Sequence, residues 1–181
     1  MKERIGQRKK MIKTNNGEYS SNKILNYEKL AKKIEYLKDK GKTIGLCTGS
    51  FDLLHPGHIT HLEAAKKNCD ILVVCVASDG FNHKKTKKRG RPLFSKKVRA
   101  YSVANLSSVD YVVYNDDTKE IIQLIKPNFL IKGSDYIENT NSDLEEQKTL
   151  IKELNGKFLN TIQEKLATSE IIKYIKREVE D

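Results

Sequence analysis

Two imidazoles three residues apart, His55 and His58, sit in the run Cys47-Thr48-Gly49-Ser50-Phe51-Asp52-Leu53-Leu54-His55-Pro56-Gly57-His58. Each can donate a hydrogen bond, and fixed donors of this kind stabilise charge that develops on a phosphoryl group during transfer. Gly49 and Gly57 would let the backbone approach a ligand closely, without a Cβ in the way. Thr43-Ile44-Gly45-Leu46-Cys47 reads as a short buried strand, and Ile59, Leu62, Ala65 and Lys66 carry helical spacing as far as Asn68. The run therefore joins a strand to a helix whose first turn is expected at His58. Unpaired N–H groups and the positive end of the macrodipole make such a helix start favourable for a phosphate. A bare H-x-G-H is a short pattern that an ordinary surface turn also satisfies. The surrounding elements must decide between the two readings.

The second informative stretch is cationic. Residues 84–99 hold nine basic residues, among them Lys85, Lys87, Arg91 and Arg99, and no acidic one. A charge run is usually a solvated loop. This one follows Ile71-Leu72-Val73-Val74-Cys75-Val76-Ala77, a continuous apolar run suited to a central parallel strand. Open parallel sheets bind ligands beyond the carboxyl ends of such strands, so the run is placed to meet a triphosphate and a second phosphorylated substrate.

The remaining elements alternate. Residues 1–25 are polar and basic and read as a loosely attached tail. A helix follows from an Asn26 cap through Leu30, Ile34 and Leu37 to Gly41, an added layer at about residues 26–40 of a domain spanning 26–181. Ser95 can cap a helix to about Asn105. Val109–Val113 is a third strand, Thr118 can cap a short helix that Pro127 ends, and Asn128–Ile131 is a fourth strand ahead of Lys132-Gly133-Ser134-Asp135-Tyr136. A helix over residues 143–154, a short fifth strand at Lys157-Phe158-Leu159 and a final helix capped by Thr168 or Ser169 complete the chain. Strands separated by helices imply an α/β fold, a Rossmann-like doubly wound parallel sheet of five strands in a single domain.

Composition narrows the class. The chain has 181 residues and a net charge of +10; residues 1–42 carry 13 Lys/Arg against 5 Asp/Glu, and residues 43–181 carry 21 against 19. The basic balance therefore belongs mainly to the N-terminal segment, which lacks the interleaved aromatics of a nucleic-acid binder. No apolar run approaches the roughly 18 residues of a membrane span, so a cytoplasmic protein is expected. Cys47, Cys69 and Cys75 have no metal-ligand spacing and read as buried thiols.

The string Gly-Ser-Phe-Asp-Leu-Leu-His-Pro-Gly-His resembles the G-x-F-D-x-x-H-x-G-H loop of the nucleotidylyltransferase superfamily. Arg91-Pro92 through Arg99 looks like the R-P-x-x-x-x-x-x-R element of bacterial heptose 1-phosphate adenylyltransferases, Ser107–Val113 resembles their next strand, and Lys132-Gly133-Ser134-Asp135-Tyr136 is similar to their K-G-G-D-Y. Glycerol-3-phosphate cytidylyltransferases share the two loops and are less close at the last element. The resemblance covers residues 26–178. It implies that an acceptor phosphate oxygen attacks the α-phosphorus of a nucleoside triphosphate and pyrophosphate leaves, with ATP favoured over CTP and a sugar phosphate over a polyol phosphate.

Carried over, His55, His58 and Lys85 are catalytic, with Lys87 the neighbour of Lys85, and Arg99 faces the phosphates or the acceptor. Gly49, Ser50, Phe51, Asp52, Gly57, Lys132, Gly133, Asp135, Tyr136, Thr168 and Ser169 complete the nucleotide site. Asp52 can equally be a turn former, and Asp135 can hold either the nucleotide or its Mg²⁺. No residue is assigned as a protein metal ligand; the divalent cation comes with the triphosphate. Ala167 departs from the family's hydroxyl at the start of the final helix. A homodimer is implied by resemblance alone. A nucleotide- or RNA-binding module without catalysis is the alternative from another class.

Overall fold

A computed structural model describes residues 18–80, 91–138, 141–162 and 167–178. Five strands, Ile44–Gly49 (β1), Ile71–Val76 (β2), Tyr111–Tyr114 (β3), Phe129–Lys132 (β4) and Lys157–Asn160 (β5), form one sheet in the order β3-β2-β1-β4-β5. Every pairing is parallel. The helices are Tyr27–Asp39 (α1), Pro56–Lys66 (α2), Lys96–Ala104 (α3), Thr118–Ile125 (α4), the single turn Asp135–Glu138 (α5), Ser142–Glu153 (α6) and Thr168–Glu178 (α7).

The apolar run of β2 shows why the sheet is covered on both faces. Leu72, Val74 and Val76 pack with Leu62 and Ala65 of α2 and Ala100 and Val103 of α3. Val73 and Cys75, alternating with them, pack with Leu30 and Ile34 of α1, Ile121 and Ile122 of α4 and Ile151 of α6. Period-two alternation within a wholly apolar strand thus feeds two cores at once. The chain runs outward from β1 through β2 to β3, then returns to place β4 on the other side of β1. That reversal opens a crevice at the carboxyl ends of β1 and β4.

Caps explain most of the element boundaries. Asn26 Oδ1 accepts from Lys29 N at 2.9 Å and starts α1 as expected, and Asn141 does the same for α6 through Leu144 N. The cap of α4 is Asp117, which accepts from Lys119 N, and Thr118 lies inside the helix. Helix α2 begins at Pro56, not His58, because proline fits the first helical position and the N-cap falls on His55. Thr168 is likewise the first residue of α7 and not its cap.

The expected loose tail shortens at its inner end. Val112 N donates to Lys23 O at 2.8 Å, Leu25 N donates to Val112 O at 2.9 Å, and Ile24 bridges Val112 in parallel. These bonds cover the open edge of β3, where unpaired backbone groups would otherwise face water. Lys23 Nζ also donates to the Leu106 and Val109 carbonyls. No helix among the described residues is long and apolar enough to cross a membrane.

Gly45 marks a close approach within β1. A Cβ there would stand 2.6 Å from Cys69 Sγ and 3.2 Å from its Cβ. Gly45→Ala is therefore expected to lower stability by about 1–3 kcal/mol in urea unfolding, through overpacking. Cys69→Ala in the same chain should recover most of that loss, since the two sites share one contact.

Candidate active site

The loop after β1 is held in a conformation that few residues adopt. Phe51 (φ 51°) and Leu53 (φ 55°) both lie in the left-handed region, on either side of Asp52. Three anchors keep it there. The Asp52 carboxylate, 1% exposed, accepts from Leu93 N at 2.8 Å and Phe94 N at 3.1 Å, and Arg91 Nε lies 2.9 Å from Oδ2. The Asp52 carbonyl accepts from Thr168 Oγ1 at 2.8 Å. The Ser50 carbonyl accepts from Arg99 Nη1 at 2.5 Å. Phe51 is buried, and a Cβ on Gly49 would reach within 3.0 Å of its ring.

This frame delivers the two histidines. Their rings stack at 3.8 Å between centroids and 22° between planes, and Phe51 meets His58 edge-on at 5.4 Å. Both ring nitrogens of His55 and Nδ1 of His58 are buried without a hydrogen-bond partner among the described residues. Buried polar atoms are seldom left so. Here they lie in the first turn of α2 and the residue before it, where Pro56 has no N–H and His58 N already donates to the His55 carbonyl at 2.9 Å, so that the Gly57 N–H is the backbone donor left beside the rings. Burial lowers the pKa of His55, and pushes that of His58 down to about 3, with His55, His61 and Arg91 adding to the effect. At neutral pH both rings are uncharged N–H donors. An anion with several oxygens is the ligand this arrangement fits.

On the other side of the crevice, Lys132 at the end of β4 is buried and donates from Nζ to Thr48 Oγ1 at 2.6 Å, joining β4 to β1. Its ammonium lies 5.3 Å from the centre of the Tyr136 ring. Gly133 O accepts from Tyr136 N and Asn160 Nδ2, and a Cβ on Gly133 would meet Asp135 Oδ1 at 2.7 Å. Asp135 opens α5 and is exposed.

One sequence assignment changes, and one open choice narrows. Arg99 was expected to face the phosphates or the acceptor, yet it is 1% exposed and its guanidinium donates to Phe94 O, Ser50 O, Ala77 O and Asp79 Oδ1. It is a strut between the loop and β2. Of the two roles open to Asp52, turn former or neighbour of the nucleotide, its carboxylate contacts with Leu93, Phe94 and Arg91 accord with the first, as the pivot of the loop. Thr168 reaches the site region, but its hydroxyl is spent on the Asp52 carbonyl. Ser169 follows it in the first turn of α7. Lys85 and Lys87 lie outside the described residues.

Sequence reasoning passed over Arg91 as a site residue, Thr48 as the partner of Lys132, and His61. His61 Nδ1 lies 2.7 Å from Thr161 Oγ1, tying α2 to the end of β5. Burial lowers its pKa, against the opposing Asp135 carboxylate. Its place three residues after His58, on the same helix face, was the available signal. Among the described residues no group of three or more His, Cys, Asp or Glu side chains is arranged to hold a metal ion.

The fold and this loop have relatives. The bifunctional protein HldE of Helicobacter pylori strain J99 is 42% identical over 159 residues, which are 86% of this chain and 32% of that protein. That of Aliarcobacter butzleri is 38% identical over 149 residues, 80% of this chain and 31% of that protein. The chain thus spans about a third of the length of the curated relatives it matches. A solved structure, the lipopolysaccharide core biosynthesis protein of Thermoplasma volcanium, superposes with a TM-score of 0.58 at 28% identity, over 69% of this chain and all of that one. The cytidylyltransferase-like family model matches residues 46–174, from within β1 into α7 and so across the whole site, and the chain belongs to that family.

Proposed function

We propose that this domain transfers a nucleoside monophosphate from a nucleoside triphosphate, ATP in preference to CTP, to a sugar phosphate, with release of pyrophosphate. The observation that carries the reading is the stacked pair His55 and His58, with unpartnered ring nitrogens at the start of α2. The Lys132–Tyr136 element, similar to that of the heptose 1-phosphate adenylyltransferases, supports adenylyl over cytidylyl transfer. Supply of an activated sugar for surface polysaccharide is the role that accords with the name of the solved relative. A cytoplasmic location and a homodimer belong to the same reading. Exposed Ile162, Tyr174 and Ile175 offer apolar surface for the latter.

The geometry supports the following chemistry. An oxygen of the acceptor phosphate forms a bond to the α-phosphorus, the bond from that phosphorus to the bridging oxygen breaks, and the electron pair leaves on pyrophosphate. With a dianionic acceptor no proton has to move. His55 and His58 donate N–H bonds to the phosphate oxygens whose charge grows, and because the rings are neutral they need not be deprotonated or reoriented. The N-terminal end of α2 adds the Gly57 N–H and the positive end of the helix dipole. Lys85 and Lys87 are proposed to neutralise charge near the α-phosphate. Mg²⁺ supplies charge neutralisation on the triphosphate when bound.

Pyrophosphate release with each of the four nucleoside triphosphates, against a panel of sugar 1-phosphates and polyol phosphates, tests the reading directly. Turnover is expected to be greatest with ATP and a sugar 1-phosphate. Preference for CTP and glycerol 3-phosphate would replace it with the cytidylyl reading, and RNA binding without turnover would replace both. His55→Ala and His58→Ala should each lower kcat by about a hundred- to a thousandfold with the melting temperature held, as expected for loss of one transition-state donor. The pH dependence has a definite sign. His58 stays neutral in the native protein down to about pH 3, while the unfolded side chain takes up a proton near its ordinary pKa of 6.5. Its contribution to stability is therefore complete above about pH 6.5 and falls as the pH drops toward 3. Urea unfolding should show that decline, and His58→Phe should flatten it.

A further inference from the structure

Among the described residues of this site, Arg91 is a cation whose terminal amino groups are not spent on the protein. It precedes Pro92 in the segment whose next backbone N–H groups, at Leu93 and Phe94, hold the Asp52 carboxylate. Its Nε lies 2.9 Å from Asp52 Oδ2 in an ion pair without hydrogen-bond alignment, and its side chain is 17% exposed beside the loop. Its two terminal amino groups donate to no described residue. Arg99 shows the contrast, with Nε, Nη1 and Nη2 all committed to carbonyls or to Asp79. Lys132 is committed to Thr48. The charge of Arg91 also reaches His58, where it is one cause of the lowered pKa.

Arg91 and the Lys132–Tyr136 element reach the histidine loop from different strands. The Lys132–Tyr136 element follows β4 and flanks the histidine loop from one side of the crevice. Arg91 follows β2 in the chain and reaches the loop from the segment that Arg99 ties back to Ala77, at the end of β2. An acceptor monoester is a dianion that must come within bonding distance of a triphosphate already carrying several negative charges. A cation has to hold it there, and a guanidinium can grip two of its oxygens in one plane while the third stays free to attack.

We propose, building on the transferase reading above, that Arg91 is the acceptor clamp: its terminal amino groups hold the phosphate of the second substrate bidentately, with the remaining oxygen directed at the α-phosphorus. Asp52 orients the guanidinium and thereby couples the clamp to the loop that carries the histidines. The reaction balance is that of the transfer itself, with one P–O bond formed, one broken, and no proton exchanged with Arg91.

The test uses Arg91→Ala and Arg91→Lys in the full chain, with melting temperatures as the check on folding. A sugar 1-phosphate and ATP are titrated separately into each protein by calorimetry, and steady-state constants are measured for both substrates. The monoester should bind about ten- to a hundredfold more weakly to Arg91→Ala, as expected for lost hydrogen bonds to a charged group, and its KM should rise in step. ATP affinity should fall far less, by a few-fold at most, because Leu93 N and Phe94 N still hold the Asp52 carboxylate. Arg91→Lys should recover only part of the loss, because it restores charge without the fork, and added methylguanidinium should partly rescue Arg91→Ala. ATP binding weakened as much as monoester binding, loss of both ligands in the Lys variant, unchanged monoester binding, or a wild type that binds no monoester would each overturn the assignment. Absence of pyrophosphate release from the wild type would overturn the transferase reading instead, and the monoester titration would still decide what Arg91 holds.

Discussion

The arrangement depends on one buried carboxylate. Asp52 stands between two residues in the left-handed region, a conformation that costs non-glycine residues of the order of 1–3 kcal/mol each. Such a loop persists only where surrounding bonds over-determine it. A carboxylate removed from water loses several kcal/mol of solvation unless its oxygens find partners. The only partners on offer to Asp52 among the described residues are Leu93 N, Phe94 N and Arg91, and reaching them requires the twisted backbone. The strain and the buried charge thus hold each other in place. Their joint product is the position of His55 and His58, three and six residues further on.

The same logic separates cations that build the site from cations that meet a ligand. Arg99 satisfies the carbonyls of Ser50, Ala77 and Phe94, which turn inward where the chain leaves β1, β2 and the Arg91–Phe94 segment. Buried carbonyls of that kind need a donor, and a guanidinium can serve several at once. Lys132 spans the crevice to Thr48 and holds β4 beside β1 at the point where the strand order reverses. Both are fixed by protein acceptors. Arg91 keeps its far end open, which is why the two arginines of one sequence element divide into a strut and a clamp.

Neutral histidines suit this division. A pair of imidazolium ions stacked at 3.8 Å would repel, and burial already disfavours charge. Uncharged rings can stack, donate hydrogen bonds to phosphate oxygens and leave charge compensation to lysine, arginine and the helix end. The sheet contributes by bringing these groups to one edge. Parallel strands all end on the same side, so the loops after β1, β2 and β4 meet above the crevice whatever their separation along the chain.

Much of this was legible in the sequence. The apolar run of β2, the helix periodicities and the Asn26 cap are local signals, and they predict the five parallel strands and nearly every helix. The H-P-G-H string carries its own geometry, because proline and glycine at the helix start leave few alternatives. What only the tertiary structure decided was how each polar side chain is used. Arg91 and Arg99 are alike as residue types, and whether a guanidinium faces a ligand or three carbonyls depends on which distant backbone turns toward it. Thr168, 116 residues from Asp52, reads locally as a helix cap and is instead the donor to its carbonyl. Periodicity is a property of neighbours along the chain; hydrogen-bond partnership across the sheet edge is settled only when the strands have assembled.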